Sequence, residues 1–200
     1  MMDIFPQFLR DHGYAAVYLL MLLDAVFPIF PSELVMPLSG LLASQGHMTF
    51  WGVVLAGTAG SMTGALGWYV IARALGLTRF TALIDRFGWL TTISAHEVEI
   101  LRKWFARFGT PLVLICRMIP LARTAISIPA GLVEMPFVRF FALSLLGATV
   151  WSTLLATAGW LLGGRYEQIH HYLGPVSTGI VGTLILVWLV RMATRLLRRR

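Results

Sequence analysis

Charge is scarce in this chain. Its 16 Lys and Arg and 9 Asp and Glu make up 12% of 200 residues, against 58% hydrophobic ones. A soluble domain carries roughly twice that share of charge, so the composition places the chain among membrane proteins. Cysteine is represented by Cys116 alone, which excludes an internal disulfide, and no Cys/His set has metal-ligand spacing. Cys116 reads as a buried, inert thiol. Met1–Gly13 lacks a basic stretch followed by a short apolar core and a small-residue cleavage site, so no removable signal peptide is expected. Acids are too few to offset the bases, leaving a net charge of +7. That excess would suit nucleic acid if it lay on polar faces, but here the bases flank apolar runs. Membrane topology explains them, and nucleic acid is not expected as a partner.

What the chain has is long apolar runs. A helical span needs about 20 mainly apolar residues. Tyr14–Phe30, Trp51–Leu75, Phe140–Leu162 and Val176–Val190 fit that length with their flanks. Pro31–Ala43 and Pro111–Leu132 are equally apolar but carry Pro31, Pro37, Pro120 and Pro129. Proline removes a backbone donor and clashes with the preceding turn, so both are expected to be broken helices that enter and leave on one face.

Lys and Arg collect in cytoplasmic loops. Arg191, Arg195 and Arg198–Arg200 put the C-terminus inside. Counting back, Gly163–Gly174 lies outside, Pro136–Arg139 inside, and Arg73–Arg107, with Arg79, Arg86, Arg102, Lys103 and Arg107, inside. Segment 111–132 then has both ends inside and Pro31–Gly46 both ends outside, with Arg10 near an inner N-terminus. The expected fold is a single all-α integral membrane domain over 1–200, N-in and C-in. It has about four transmembrane helices, two opposed re-entrant hairpins, and amphipathic helices lying in the cytoplasmic interface between Thr78 and Gly109 against anionic lipid.

The broken segments resemble each other. PSELVMPLSGLL (31–42) and PLARTAISIPAGLV (120–133) each run proline, charge, proline, small residue, glycine, apolar, and each precedes a small-residue-rich span. With opposite entry faces they form an inverted repeat, and paired broken segments are the sequence pointer to a midplane transport site. Pro31, Pro37 and Gly40 shape the first hairpin, and Pro120, Pro129 and Gly131 the second. Gly57, Gly60, Gly64 and Gly67 are expected to allow close helix packing.

Four charged residues are the candidates near the bilayer centre: Asp24, Glu33, Arg117 and Arg123. Each costs at least ~2.5–3.5 kcal/mol near the bilayer centre unless paired or wet. Two acids come from the first half and two bases from the second. They can pair with one another, or the arginines can grip an anionic head group while an acid takes up a proton or cation. Arginine suits the second role, being permanently charged with a planar fork that matches phosphate. Phosphate fits such a site better than sugar or amine.

FPIFPSELVMPLSG (27–40), GSMTGALGWYVIARALG (60–76), WFARFG (104–109), RMIPLARTAISIPAG (117–131) with Met135, and GATVWSTLLATAGWLLG (147–163) together resemble the DedA family, also called the VTT or SNARE-associated Golgi protein domain. The resemblance covers 14–165 as the core, leaving 166–200 as a C-terminal helix and basic tail. It implies a lipid translocase of the bacterial cytoplasmic membrane, not an enzyme, that returns undecaprenyl phosphate to the inner leaflet for carrier-lipid recycling. Coupling is to protons or sodium, with no cofactor or metal. The family's essential membrane charges fall on Asp24, Glu33, Arg117 and Arg123, with Asp24 standing where Glu is usual. Both acids carry over as ion-coupling residues and all four as substrate-binding ones. Membrane lipids are the surrounding partners, and a homo-oligomer is compatible with the chain.

Other features attract plainer readings. His170 and His171 read as an exposed loop pair, Glu134 as an interfacial charge near Arg139, and Glu97 and Glu99 as solvated. Three further functions compete: a broader phospholipid scramblase, an ion antiporter that leaves the arginines unexplained, and a lipid phosphatase. The last needs a nucleophile, and no histidine lies in the apolar segments.

Overall fold

A computed structural model of the chain describes residues 4–26, 32–87, 100, 103–105, 109–119 and 122–163. Seven helices are followed here: α1 (Ile4–Val26), α2 (Ser32–Ser44), α3 (Phe50–Phe87), α4 (Pro111–Arg117), α5 (Ala122–Ala125), α6 (Ser127–Leu132) and α7 (Phe137–Leu162). No strand occurs among the described residues. Pro31, Pro120, His170, His171, the amphipathic stretch at 88–99, the span Val176–Val190 and the basic tail lie outside them.

Among the described residues two helices are long and apolar enough to cross a membrane, Phe50–Leu77 with 28 residues and α7 with 26. At 1.5 Å per residue they reach about 42 and 39 Å, more than the ~30 Å hydrocarbon layer. Both fall where apolar runs predict spans. The ends differ: α3 does not stop at Leu75 but turns at Gly76 (φ 66°, ψ 172°) and runs on to Phe87. That backbone region is open to glycine alone. Gly13 (φ 53°) likewise kinks α1 just before Tyr14, so the apolar segment starts at a glycine hinge and is helical to Val26.

The proline-bearing segments depart from expectation in one respect. Pro37 does not break its helix, for α2 continues from Ser32 to Ser44 through it. The cost is one lost hydrogen bond, to the Glu33 carbonyl. Packing against α7 offsets it: the Pro37 carbonyl lies where a Cβ on Gly159 would stand, and the Ala156 carbonyl where a Cβ on Gly40 would stand. Only glycine allows backbones this close. In the second segment α5 and α6 form nearly one helix, because Ile126 between them keeps helical angles (φ −64°, ψ −24°). Pro129 merely deprives the Ala125 carbonyl of its donor. The helix before them, α4, ends at Arg117 with Met118 as its C-cap, and α5 starts at Ala122.

The packing is reciprocal. Helix α1 runs along α3 and α4 along α7, while α2 crosses to pack on α7 and α6 crosses to pack on α3. Gly131 of α6 meets the Tyr69 carbonyl and Ala72 of α3 as Gly40 meets α7. Each proline-bearing arm thus rests on the long helix of the other half. Of the glycines expected to aid packing, Gly57 faces Met36, Gly60 and Gly64 face α1, and Gly67 borders open space.

Among the described residues three buried clusters result, one around Leu9, Val17, Met21, Met36 and Val53, the second around Tyr69, Val113, Ile126 and Phe140, and a small third of Ala72, Phe80 and Ile128. Cys116 is buried in the second. Trp51, Leu55, Val138 and Leu161 are about two-thirds or more exposed, an apolar exterior suited to lipid. After α6 the chain turns at Glu134, whose φ of 54° puts it in the left-handed region. Tyr69 Oη donates to the Met135 carbonyl at 2.5 Å, and Arg73 Nη1 donates to it at 2.9 Å, which fixes this exit.

Candidate anion site

Asp24, near the end of α1, and Arg123, in α5, are 5% and 6% exposed. Arg123 Nη2 donates to Asp24 Oδ2, an ion pair between residues 99 positions apart. The Arg123 guanidinium carbon also lies 5.9 Å from the centre of the Trp151 ring of α7, within cation–π range. This pair ties the first half of the chain to the second at the crossing of α1, α5 and α7.

Arg117 is the last residue of α4 and is 3% exposed. Its stem reaches α7 at Gly147. Nη2 donates to Ser144 Oγ at 3.1 Å and to Ser127 Oγ at 3.4 Å, and the guanidinium carbon sits 5.9 Å from the Phe140 ring centre. Its Nε is buried without a partner. Among the described residues no carboxylate pairs with it. A guanidinium held only by neutral hydroxyls keeps its whole charge for something else, which is a costly arrangement in a dry interior.

Glu33 lies in the first turn of α2, half-buried, with no ion-pair partner among the described residues. Its field reaches Asp24, as that of Arg123 reaches both Asp24 and Arg117. The four charges predicted from the sequence therefore form one electrostatic chain, Glu33, Asp24, Arg123, Arg117. They do not form two pairs. One acid and one base neutralise each other, and one of each is left over.

Sequence reading missed the residues that hold the arginines: Ser127, Ser144, Phe140 and Trp151. Ser144 carried a signal, being the one polar side chain in the stretch Phe140–Ala148. Of the residues expected to shape the two hairpins, Pro37, Gly40 and Gly131 lie at helix contacts, and Pro129 is buried in α6.

Because Ser144 presents Arg117 without neutralising it, Ser144→Asp should abolish anion binding by supplying an internal counter-charge. Ser144→Ala should weaken it only about tenfold, the low end of the worth of one hydrogen bond to a charged group. Titration of each variant with a phosphate monoester checks this. Equal effects of the two changes would show that charge at Arg117 is not what matters.

The chain is 32% identical over 200 residues to undecaprenyl phosphate transporter A of Staphylococcus aureus (strain NCTC 8325 / PS 47), covering 100% of this chain and 98% of that one. The protein of the same name in Bacillus subtilis (strain 168) is 30% identical over 195 residues, 96% and 94% of the two chains. An alkaline phosphatase-like protein of Lactococcus lactis subsp. cremoris (strain MG1363) is 31% identical over 191 residues, 95% and 89%. No solved structure matches. The VTT domain matches residues 27–161, a range holding Glu33, both arginines and both serines, with Asp24 just before it. The chain belongs to the VTT-domain, or DedA, family of helical membrane proteins.

Proposed function

We propose that this protein moves a lipid-linked phosphate, undecaprenyl phosphate, across the bacterial cytoplasmic membrane for carrier-lipid recycling, coupled to a proton or sodium gradient. The observation that carries the reading is Arg117, a buried guanidinium whose hydrogen-bond partners are two serine hydroxyls and whose Nε is unpaired. The transporter names of two relatives that align over nearly the whole chain agree with it.

In this reading the chain is N-in and C-in, and the two proline-bearing segments dip from opposite faces to meet at the charges. A phosphate monoester carries up to about two negative charges and only acceptor oxygens near neutral pH. Arg117 would meet it with its unpaired Nε–H and with Nη2, whose partners are neutral hydroxyls. A second phosphate oxygen competes with Asp24 for Arg123, and the released Asp24, or Glu33, takes up the coupling ion. The prenyl tail stays in lipid, so a chain this small needs no enclosed path for it.

Liposomes holding the purified protein, with undecaprenyl phosphate in one leaflet, test this directly. The expected result is movement of undecaprenyl phosphate that outpaces that of phosphatidylethanolamine and responds to an imposed ion gradient. Equal rates for the two lipids favour a scramblase. Release of inorganic phosphate favours the phosphatase reading that the Lactococcus name raises.

A further inference from the structure

The turn that leaves α6 is strained and clamped at one atom. Glu134 N–H donates to the Gly131 carbonyl at 3.0 Å and Met135 N–H to the Ala130 carbonyl at 3.1 Å. These are the paired bonds of a helix stop that usually has glycine where Glu134 stands. At φ 54° a residue with a side chain keeps that conformation only where its surroundings hold it. Here the hold comes from α3. The Met135 carbonyl accepts from Tyr69 Oη at 2.5 Å and from Arg73 Nη1 at 2.9 Å, and Arg73 Nη1 also donates to Tyr69 Oη at 2.5 Å. The Arg73 guanidinium carbon lies 5.8 Å from the centre of the Tyr69 ring.

The same tyrosine bears on the anion site. Its ring, 1% exposed, stacks on Phe140 with centres 4.3 Å apart and planes 12° from parallel. Phe140 in turn is the ring that stands 5.9 Å from the Arg117 guanidinium carbon. The two hydroxyls that hold Arg117 Nη2 flank the clamped turn in the chain, Ser127 in α6 and Ser144 in α7. A change in the angle between α6 and α7 therefore shifts one hydroxyl against the other, and Nη2 with them. Such a shift matters because a planar guanidinium donates along fixed directions, and small misplacements of a positioned group are costly.

We propose that Tyr69 is a positioning residue for the anion site: its hydroxyl fixes the turn between α6 and α7, its ring fixes Phe140, and together they set where the Arg117 guanidinium is held. The consequence for phosphate affinity rests on the function proposed above; the control of Arg117 placement does not.

Nuclear magnetic resonance of the full chain, labelled with nitrogen-15 arginine in lipid nanodiscs, reads that placement without reference to transport. The Arg117 Nε–H signal, assigned by its disappearance in Arg117→Lys, should move in Tyr69→Phe, which keeps the ring and drops the hydroxyl. Arg73→Met, at an exposed position, should move it by less, and it reports even if Tyr69→Phe fails to fold. Tyr14→Phe is the control. It removes the tyrosine oxygen that accepts from Thr49 N–H at 2.8 Å ahead of α3, and should leave the signal in place. Binding of undecaprenyl phosphate and undecaprenol gives the second readout. Tyr69→Phe should lower the preference for the phosphate about tenfold, the low end of the worth of one hydrogen bond to a charged group, and should lower it no further in the Arg117→Ala background. An Arg117 signal unmoved by both Tyr69→Phe and Arg73→Met overturns the proposal, as does an equal loss of preference with and without Arg117. A signal that moves as expected in a chain with no preference for the phosphate supports the positioning and overturns the phosphate reading.

Discussion

Arg117→Ala should reduce undecaprenyl phosphate transport to background while the protein still inserts and folds. Two terms set the size of the effect. The wild-type guanidinium offers at least two charge-assisted hydrogen bonds to a phosphate, at about 1.5–3 kcal/mol each, and their loss is worth roughly a hundredfold or more in affinity. The cost to the fold is small by comparison, because among the described residues Arg117 has no carboxylate to abandon: Ser127 and Ser144 can turn to other partners. Arg117→Lys should fall between, since an ammonium keeps the charge and loses the planar fork. Liposome transport together with thermal unfolding of each variant checks the pair of statements. Transport that survives Arg117→Ala would leave the leftover charge without a function.

Asp24→Ala should behave in the opposite way, damaging the fold first. Removing one partner of a buried ion pair strands the other charge, which costs about 3–5 kcal/mol. Arg123 is 6% exposed and its ion pair joins the two halves of the chain, so its stranding should lower the unfolding midpoint markedly. The double variant Asp24→Ala with Arg123→Ala removes both charges and should recover most of that stability, yet remain inactive. Asp24→Glu keeps the charge and should be tolerated. A double-mutant cycle in unfolding measurements separates the two roles. An Asp24→Ala protein as stable as the wild type would mean that the pair is not the lock it is taken to be.

How far these features were legible in the sequence depends on their range. The long helices were readable because twenty apolar residues in a row have one meaning in a membrane chain, and α3 and α7 fall where expected. The four charges were readable for the same reason, as exceptions within apolar runs. Their pairing was not. Which acid meets which arginine is decided by where α1 and α5 cross, and that depends on glycines that let carbonyls approach, a matter of shape that no local pattern encodes. Pro37 shows the same limit: local propensity predicts a break, and the contact with Gly159 and α7 keeps the helix whole. Ser127 and Ser144 were overlooked because a serine in an apolar helix usually bonds its own backbone, as Ser39 does with the Val35 carbonyl at 2.7 Å. Only the position of Arg117 distinguishes them.

On the proposed function, Arg117 holds its charge in reserve for a phosphate. Binding of undecaprenyl phosphate and of undecaprenol to wild-type and Arg117→Ala protein in nanodiscs tests it most directly, because the two ligands share a tail and differ in the head group. The wild-type chain should prefer the phosphate by roughly a hundredfold, in line with two charge-assisted hydrogen bonds, and Arg117→Ala should lose most of that preference, keeping only what Arg123 supplies. A preference for the phosphate that is unchanged in Arg117→Ala would contradict it.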